Sequence, residues 1–483
     1  MARPRLIFCL LWACACGAPP GLEGEPRLDA GTSDAGTDGG EKDAGLPDAG
    51  IADAGLPDAS VPDAGLPDAG LPDSGVTDAG LPDAGFDAGA AGPVVYPFAE
   101  RHSPITPSVV ANLKRIAAIA PRLDGVFAKI GDSNTVNTNF LACLSGANVD
   151  LAGQTALQAT IDHFKPGPSY LRVSQAATVG WSAGAALAGT PSPLDNEVNA
   201  LSPRYALVMF GTNDIGDSTG DVFTYARNMF SITDQLIARG IIPLLTTLPP
   251  RDDLALADAR VPEFDAVVHG IAQARQIPLM DLERAMRLLP AHGIGSDGLH
   301  LNVYLSGGFA RGCIFTAAGL AFGHNTRNLL VLESLARARV AVDTSTASDP
   351  SATVQQGLGT LAAPFLIPSL PFVDLRDTSK SGINRISTYP GCGSTTDESG
   401  PEQLYQLTVT QPTAVKIQAF ALNGADIDVH LMNSPTSGAG CVLRNDRQIV
   451  TTLQPGTWWL SLDTYVAAGT AKSGEYLLSI VPQ

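Results

Sequence analysis

Val126-Phe127-Ala128-Lys129-Ile130, followed at once by Gly131-Asp132-Ser133, is the stretch that decides the reading of this 483-residue chain. An apolar run of strand length stops on a glycine and leaves a carboxyl and a hydroxyl at its carboxyl end. The same grammar recurs at Tyr205 to Phe210, which runs into Gly211-Thr212-Asn213-Asp214. A third polar cluster, Asp297-Gly298-Leu299-His300, lies beyond the last candidate strand. In an open parallel sheet the site sits at the carboxyl ends of strands, which is where these clusters fall.

Helical patterns separate the apolar runs. Ser108 to Ala120 places Val109, Leu113, Ile116, Ala117 and Ala120 on one face. Thr224 to Arg239 spaces Tyr225, Met229, Ile232 and Leu236 the same way and stops at Gly240. Ile241 to Leu248 reads as a strand ended by Pro249-Pro250, and a helical segment near Glu263 to Arg275 leads into Ile277 to Leu282. Strands that are apolar throughout and alternate with helices predict a parallel sheet covered on both faces, over residues 93–345. Asn325 to Leu335 is expected as a closing amphipathic helix with no catalytic part.

The texture then changes. Ser, Thr, Ala, Gly and Pro dominate residues 346–371, which read as a linker. Over 372–483 come short strands at Leu404 to Val409, Val415 to Ala419, Ile427 to Leu431, Thr457 to Leu462 and Tyr476 to Ile480. Turn signals such as Asn423-Gly424 and Pro455-Gly456 separate them, the pattern of an antiparallel β-sandwich. Strand alternation puts Trp458 with Leu460 and Leu462, and Trp459 on the other face.

The amino-terminal part is different again. Arg3 and Arg5 precede an apolar stretch from Leu6 to Ala13, the form of a secretory signal over residues 1–16. Leu11-Trp12-Ala13-Cys14 resembles a bacterial lipobox, with Cys14 as the lipidated residue; cleavage after Ala15 would instead leave Cys16 first. Export is expected by either route, with the membrane as a partner through a lipid anchor. Residues 17–92 are a pentad tract with Asp at every fifth position from Asp43 to Asp83, read as a disordered spacer because it has no apolar face to stack. Between Glu23 and Asp87 there are 16 acids and two bases, so most of the formal charge of −18 belongs to this tract. No clustered Lys/Arg footprint marks a nucleic-acid partner.

Ser133, His300 and Asp297 together permit ester hydrolysis. A serine hydroxyl is a weak nucleophile until a base takes its proton, and a neutral imidazole does so near neutral pH. Asp297, three residues before His300, is placed to accept the other ring N–H and fix the tautomer. The tetrahedral oxyanion needs donors: the backbone N–H of Ser133, a glycine N–H, and an amide such as that of Asn213.

Residues 94–345 resemble an SGNH (GDSL-type) hydrolase on these motifs. The resemblance implies a flavodoxin-like three-layer α/β/α fold and cleavage of carboxylic esters of lipids, sugars or small alcohols, with no metal and no cofactor. It makes Ser133 the nucleophile, Asp297 and His300 its partners, and Asn213 an oxyanion donor. Val179-Gly180-Trp181-Ser182 matches the family's Gly block best, giving Gly180 as the second backbone donor with Gly184 as the alternative. The fourth position of the first block is Asn134 rather than Leu, a departure that bears on substrate class. Asp132 and Asp214 are assigned structural roles in their loops.

The C-terminal region resembles a bacterial pre-peptidase C-terminal (PPC) sandwich through Tyr389 to Cys392, Ser399 to Glu402, Ala425 to Val429 and Pro455 to Leu460. Such modules imply substrate or surface attachment. Trp459 is then a candidate glycan platform, and Asp426, Asp428 and Glu402 are candidate calcium carboxylates. Cys143, Cys313, Cys392 and Cys441 are the cysteines of the two C-terminal parts. Pairing within each domain is the natural expectation for an exported chain, although four cysteines allow three connectivities. His163, His269, His292 and His324 have no spacing that suggests a metal site. Two rival functions share the fold: a surface binding or adhesion protein with a silent hydrolase domain, and an acyltransferase.

Overall fold

The computed structural model describes residues 92–483. The signal, the lipobox cysteines and the pentad tract up to Ala91 lie outside the described residues. The helices are α1 (Pro107–Ile119), α2 (Ser133–Val136), α3 (Gln158–Phe164), α4 (Pro193–Leu201), α5 (Thr212–Ile215), α6 (Val222–Ala238), α7 (Ala255–Asp258), α8 (Val261–Arg275), α9 (Leu282–Arg287) and α10 (Gly323–Thr344). Their starts are chemically specified. Thr106 caps α1 with Pro107 at its first position, Ser192 and Asp195 form a capping box on α4, and Asp221 accepts from the N–H groups of Phe223 and Thr224 on α6.

Strands β1 (Leu123–Gly131), β2 (Pro203–Met209), β3 (Ile242–Thr246) and β4 (Leu279–Met280) form a parallel sheet in that spatial order. β2 and β3 are buried at every residue, as expected for strands covered on both faces. A single parallel bridge, Gly131 to Ala177, adds a short fifth segment on the far side of β1. Taken in chain order, the five segments are arranged 2-1-3-4-5, the flavodoxin-like order. The reversal of winding falls between β1 and β2, where such folds open their crevice. Helix α10 packs with α1, α3 and α9, while α6 packs with α8, which gives the three-layer α/β/α architecture.

The closing helix differs from expectation. It runs from 323 to 344, and every residue from Gly323 to Leu332 is buried, including Asn325, Arg327 and Asn328. The helix is enclosed rather than amphipathic there, because the loops around residues 139–141 and 304–314 fold over it and bond to its polar side chains. Asn325 accepts from Tyr304 N–H (3.1 Å) and donates to Arg311 O (2.7 Å) and Ile314 O (3.0 Å). Asn328 accepts from Leu141 N–H (3.0 Å) and donates to Asn139 O (2.8 Å) and Gly312 O (3.0 Å). Between those anchors a two-stranded ribbon, β5 (Leu305–Ser306) with β6 (Phe309–Ala310), projects with Leu305 and Phe309 exposed.

The C-terminal part is two packed sheets. One is β13-β10-β17-β8, formed by β8 (Phe372–Asp377), β10 (Thr413–Ala421), β13 (Gln448–Leu453) and β17 (Glu475–Pro482). The other is β12-β11-β14-β9-β7, formed by β7 (Phe365–Ile367), β9 (Gln403–Val409), β11 (Ile427–Met432), β12 (Cys441–Asn445) and β14 (Gly456–Thr464). A small ribbon, β15 (Val466–Ala467) with β16 (Thr470–Ala471), stands apart. All five strands read from alternation are present; β7, β8, β12 and β13 are additional. β7 lies within the stretch read as linker and pairs in parallel with β9. Between the sheets Tyr405, Leu407, Ile417, Val429, Leu431, Leu460, Leu478 and Ile480 belong to one hydrophobic core. Trp458 packs against that core and Trp459 against a second cluster with Tyr389 and Met432, so the two tryptophans do take opposite faces.

Helix α8 joins the two halves. From Glu263 to Gln273 every residue is buried, because the parallel sheet lies on one side and β8 and β17 on the other. Val373, Phe420, Leu422, Leu477 and Val481 of the sandwich belong to the same continuous core as the α/β domain. Gly270 sits mid-helix where any side chain would be within 2.5 Å of Leu477 Cδ1, so the close approach requires glycine. Polar contacts seal the rim: Glu263 accepts from Gln418 (2.6 Å) and pairs with Lys416 (3.1 Å), and Gln273 donates to Val373 O (2.9 Å). Two disulfides, Cys143–Cys313 and Cys392–Cys441, follow the within-domain pairing.

Candidate active site

β1 ends at Gly131, and the chain turns directly into the single-turn helix α2 with Ser133 at its start. Gly131 must lack a side chain, since a Cβ there would lie 2.4 Å from Thr135 Oγ1 and 2.6 Å from Met209 O. Asp132 is the cap: its Oδ1 accepts from Asn134 N–H at 3.0 Å. As the first residue of α2, Ser133 presents a backbone N–H that the helix itself leaves free. Across the cleft, the loop after the short turn at residues 290–293 carries Asp297 and His300. The carboxylate of Asp297 accepts from the N–H groups of Leu299 and His300, both at 3.0 Å, and so curls the segment into a rigid turn.

These two segments, far apart in sequence, meet at their side chains. His300 Nε2 lies 2.9 Å from Ser133 Oγ, and His300 Nδ1 lies 2.7 Å from Asp297 Oδ2. With Asp297 accepting the Nδ1 proton, Nε2 is left as the acceptor for the serine hydroxyl. The burial of Asp297 acts against its charge, but the two backbone N–H groups and the imidazole outweigh it and hold the carboxyl down at about 2. It is therefore an anion throughout the ordinary pH range. The His300 and Asp297 side chains are 37% and 53% exposed, so the cleft is open rather than tunnel-like.

Asn213 follows β2 in α5, with Gly211 (φ 131°) making the turn. One amide hydrogen of Asn213 is given to Trp181 O (3.0 Å); the Nδ2 group has a second hydrogen to offer. Asp214 accepts from Ala183 N–H at 3.0 Å and fixes the same neighbouring turn. Gly180 (φ 79°) immediately precedes Trp181, in the loop that the Ala177 bridge holds against Gly131. Gly184, by contrast, lies in the turn Ala183–Leu187 and faces the Asn228 amide of α6. Asn213 is thus bonded to the loop that carries Gly180, and that loop to the end of the strand that delivers Ser133. Asp132 and Asp214 are both pushed up to about 6 by burial, against the pull of the N–H groups that cap onto them.

The remaining histidines are apart from the cleft chemistry. His269 stacks on Phe98 and contacts Asp281 (3.3 Å), and His292 pairs with Asp252 (2.8 Å). His324 is pushed down to about 3 by burial, with Arg327 and His300 adding to the effect, so it is a neutral core residue. In the sandwich, Asp428 is bonded to Arg444 (2.6 Å) and Glu402 is paired with Arg385 (2.8 Å), so each of these candidate calcium carboxylates already has a cationic partner. The sequence reading gave Asn134 a bearing on substrate class alone and Arg327 no part; a buried Asn and a buried Arg beside Gly-Asp-Ser are visible only once α10 is placed.

Residues 130–304 match the GDSL-like lipase/acylhydrolase family. No curated protein matches the chain. Among solved structures, it is similar to a GDSL-like lipase from Bacteroides thetaiotaomicron (18% identity, 47% of this chain and 99% of that one, TM-score 0.29). It is also similar to an acetylxylan esterase from Geobacillus stearothermophilus (13% identity, 43% and 93%, TM-score 0.30). The pre-peptidase C-terminal domain of a Bacillus anthracis collagenase is a further match (14% identity, 24% and 91%, TM-score 0.16). Residues 130–304 thus carry a GDSL-like lipase/acylhydrolase domain, the domain of an ester-bond hydrolase.

Proposed function

We propose that the chain hydrolyses carboxylic esters through an acyl-enzyme on Ser133. The observation that carries this reading is the relay from Ser133 Oγ to His300 Nε2 at 2.9 Å and from Nδ1 to Asp297 at 2.7 Å. Ser133 Oγ attacks the ester carbonyl carbon as its proton passes to Nε2. The carbonyl oxygen becomes an oxyanion, received by the N–H groups of Ser133 and Gly180 and the second hydrogen of Asn213 Nδ2. When the tetrahedral species collapses, the C–O bond to the alcohol breaks and the imidazolium protonates the departing oxygen. Water, deprotonated by the same imidazole, then releases the acid and restores Ser133. Each donor to the oxyanion is worth roughly 3 kcal/mol of barrier.

The open cleft supports substrates whose alcohol part is bulky, an acetylated glycan or a lipid, since half-exposed catalytic side chains leave room for a large leaving group. A fluorophosphonate probe should label the wild type and fail to label Ser133→Ala. Initial rates on esters graded by acyl length, alongside an acetylated glycan, then assign the substrate. Labelling that persists in Ser133→Ala would remove Ser133 from the mechanism; no labelling of either protein favours a silent binding domain.

Export with lipid anchoring belongs to the same proposal. The charged-then-apolar start, the Leu11-Trp12-Ala13-Cys14 motif and two disulfides support it. Metabolic labelling with a fatty-acid analogue should be lost in Cys14→Ala; loss only in Cys16→Ala would shift the anchor by two residues.

A further inference from the structure

Asn134, the residue after Ser133, is fully buried, and its side chain does something the Gly-Asp-Ser motif alone does not. Its Oδ1 accepts from the backbone N–H of Leu301, the residue after His300, at 3.2 Å. The neighbour of one reacting side chain is thereby bonded directly to the neighbour of the other. The backbone of the same residue is held from beneath: Asn134 O accepts from Arg327 Nη1 at 2.7 Å, and Thr135 Oγ1 accepts from Nη2 at 3.1 Å. The Arg327 guanidinium lies 3.8 Å over the ring of Phe140, is fully enclosed, and among the described residues bonds to no carboxylate. A planar fork stacked on a ring is a rigid support, which lysine cannot reproduce.

The separation of Ser133 and His300 depends on two loops 167 residues apart in sequence. His300 is partly exposed, so packing alone restrains it weakly. We infer that Asn134 is a positioning residue: its bond to Leu301 N–H sets the reach from Ser133 to His300, and Arg327 fixes the turn from which Asn134 makes that bond. This inference rests on the reading of Ser133 as nucleophile. Misplacing reacting groups by about 1 Å costs on the order of 100-fold in rate, so the effect belongs in kcat rather than in substrate affinity.

The test uses the full chain, one activated ester and the fluorophosphonate labelling rate. Asn134→Leu keeps roughly the volume and removes the acceptor; Asn134→Asp keeps an oxygen at the same position. For Asn134→Leu, kcat and the labelling rate should fall about 10- to 100-fold with KM within twofold of wild type. Asn134→Asp should recover most of that loss. A kcat within twofold of wild type in Asn134→Leu, even with a lowered Tm, would overturn the inference and leave Asn134 a packing residue. Where Asn134→Leu does not yield folded protein, Arg327→Lys takes its place: a several-fold drop in kcat at unchanged KM is expected, and an unchanged kcat overturns it. Ser133→Ala in the same assay separates the two ideas, since residual activity there would refute the nucleophile and not the positioning.

Discussion

The mouth of the cleft and the seam along α8 are built on opposite terms. At the mouth, Ser133, Asp297 and His300 are only partly covered and are held by a few short polar bonds. Along the seam, Glu263 to Gln273 are enclosed on every side, and apolar side chains from both halves interlock. Substitutions at the mouth should therefore cost rate without much stability, and substitutions at the seam should cost stability without changing turnover per folded molecule. The sandwich follows the second rule, because it completes the core of the α/β domain instead of hanging from it.

The largest effect should come from His300→Ala. Turnover should fall by about 10³-fold or more while the melting temperature stays within a few degrees; a large Tm loss would mean the mouth is also a stability element. Asp297→Asn should follow, at about 10²- to 10⁴-fold in kcat, since the amide favours the wrong tautomer of His300. An unchanged kcat there would show that another group orients the ring. At the seam, Leu477→Ala should destabilise by about 2–5 kcal/mol, read by denaturant unfolding, with kcat per folded molecule unchanged. A parallel fall in kcat would blur the division between the two regions.

The smallest effect concerns Asp132, which belongs to the mouth yet is buried. Burial pushes its folded-state pKa up to about 6, above the ordinary carboxyl value, with Arg327, the Asn134 N–H and His300 pulling the other way. A carboxyl raised on folding contributes stability that is complete below about pH 4 and lost as the pH rises through about 6. Asp132→Asn should keep the cap and lessen that loss, so its Tm should drop less than that of wild type between pH 4.5 and 7.5, by an amount equivalent to roughly 1–3 kcal/mol. Parallel Tm profiles would refute the assignment.

The contrast also explains what the sequence disclosed. Ser133, Asn213 and His300 were legible because each follows a strand-ending or turn-forming pattern, and glycine and aspartate announce such turns locally. The strands from Leu404 to Ile480 were legible because one face of each meets a core, which imposes alternation. Arg327 and Asn328 were not, because polar side chains in a helix are ordinarily solvated and nothing local shows that loops from residues 134–141 and 304–314 cover them. For α8 only a helical segment was legible, for a related reason: its second apolar face is explained only by Val373 and Leu477, a hundred residues or more later. Strands β12 and β13 escaped notice because buried residues are a minority in both.

Asn325 has a practical corollary. It grips the chain at Tyr304 and again at Arg311, so the six residues between those grips, with Leu305 and Phe309 at the tip, form a handle whose ends cannot drift. Such a ribbon can be exchanged or extended by a protein engineer while the ground on which it stands stays put, which makes it the natural place to graft new recognition onto the rim of this enzyme.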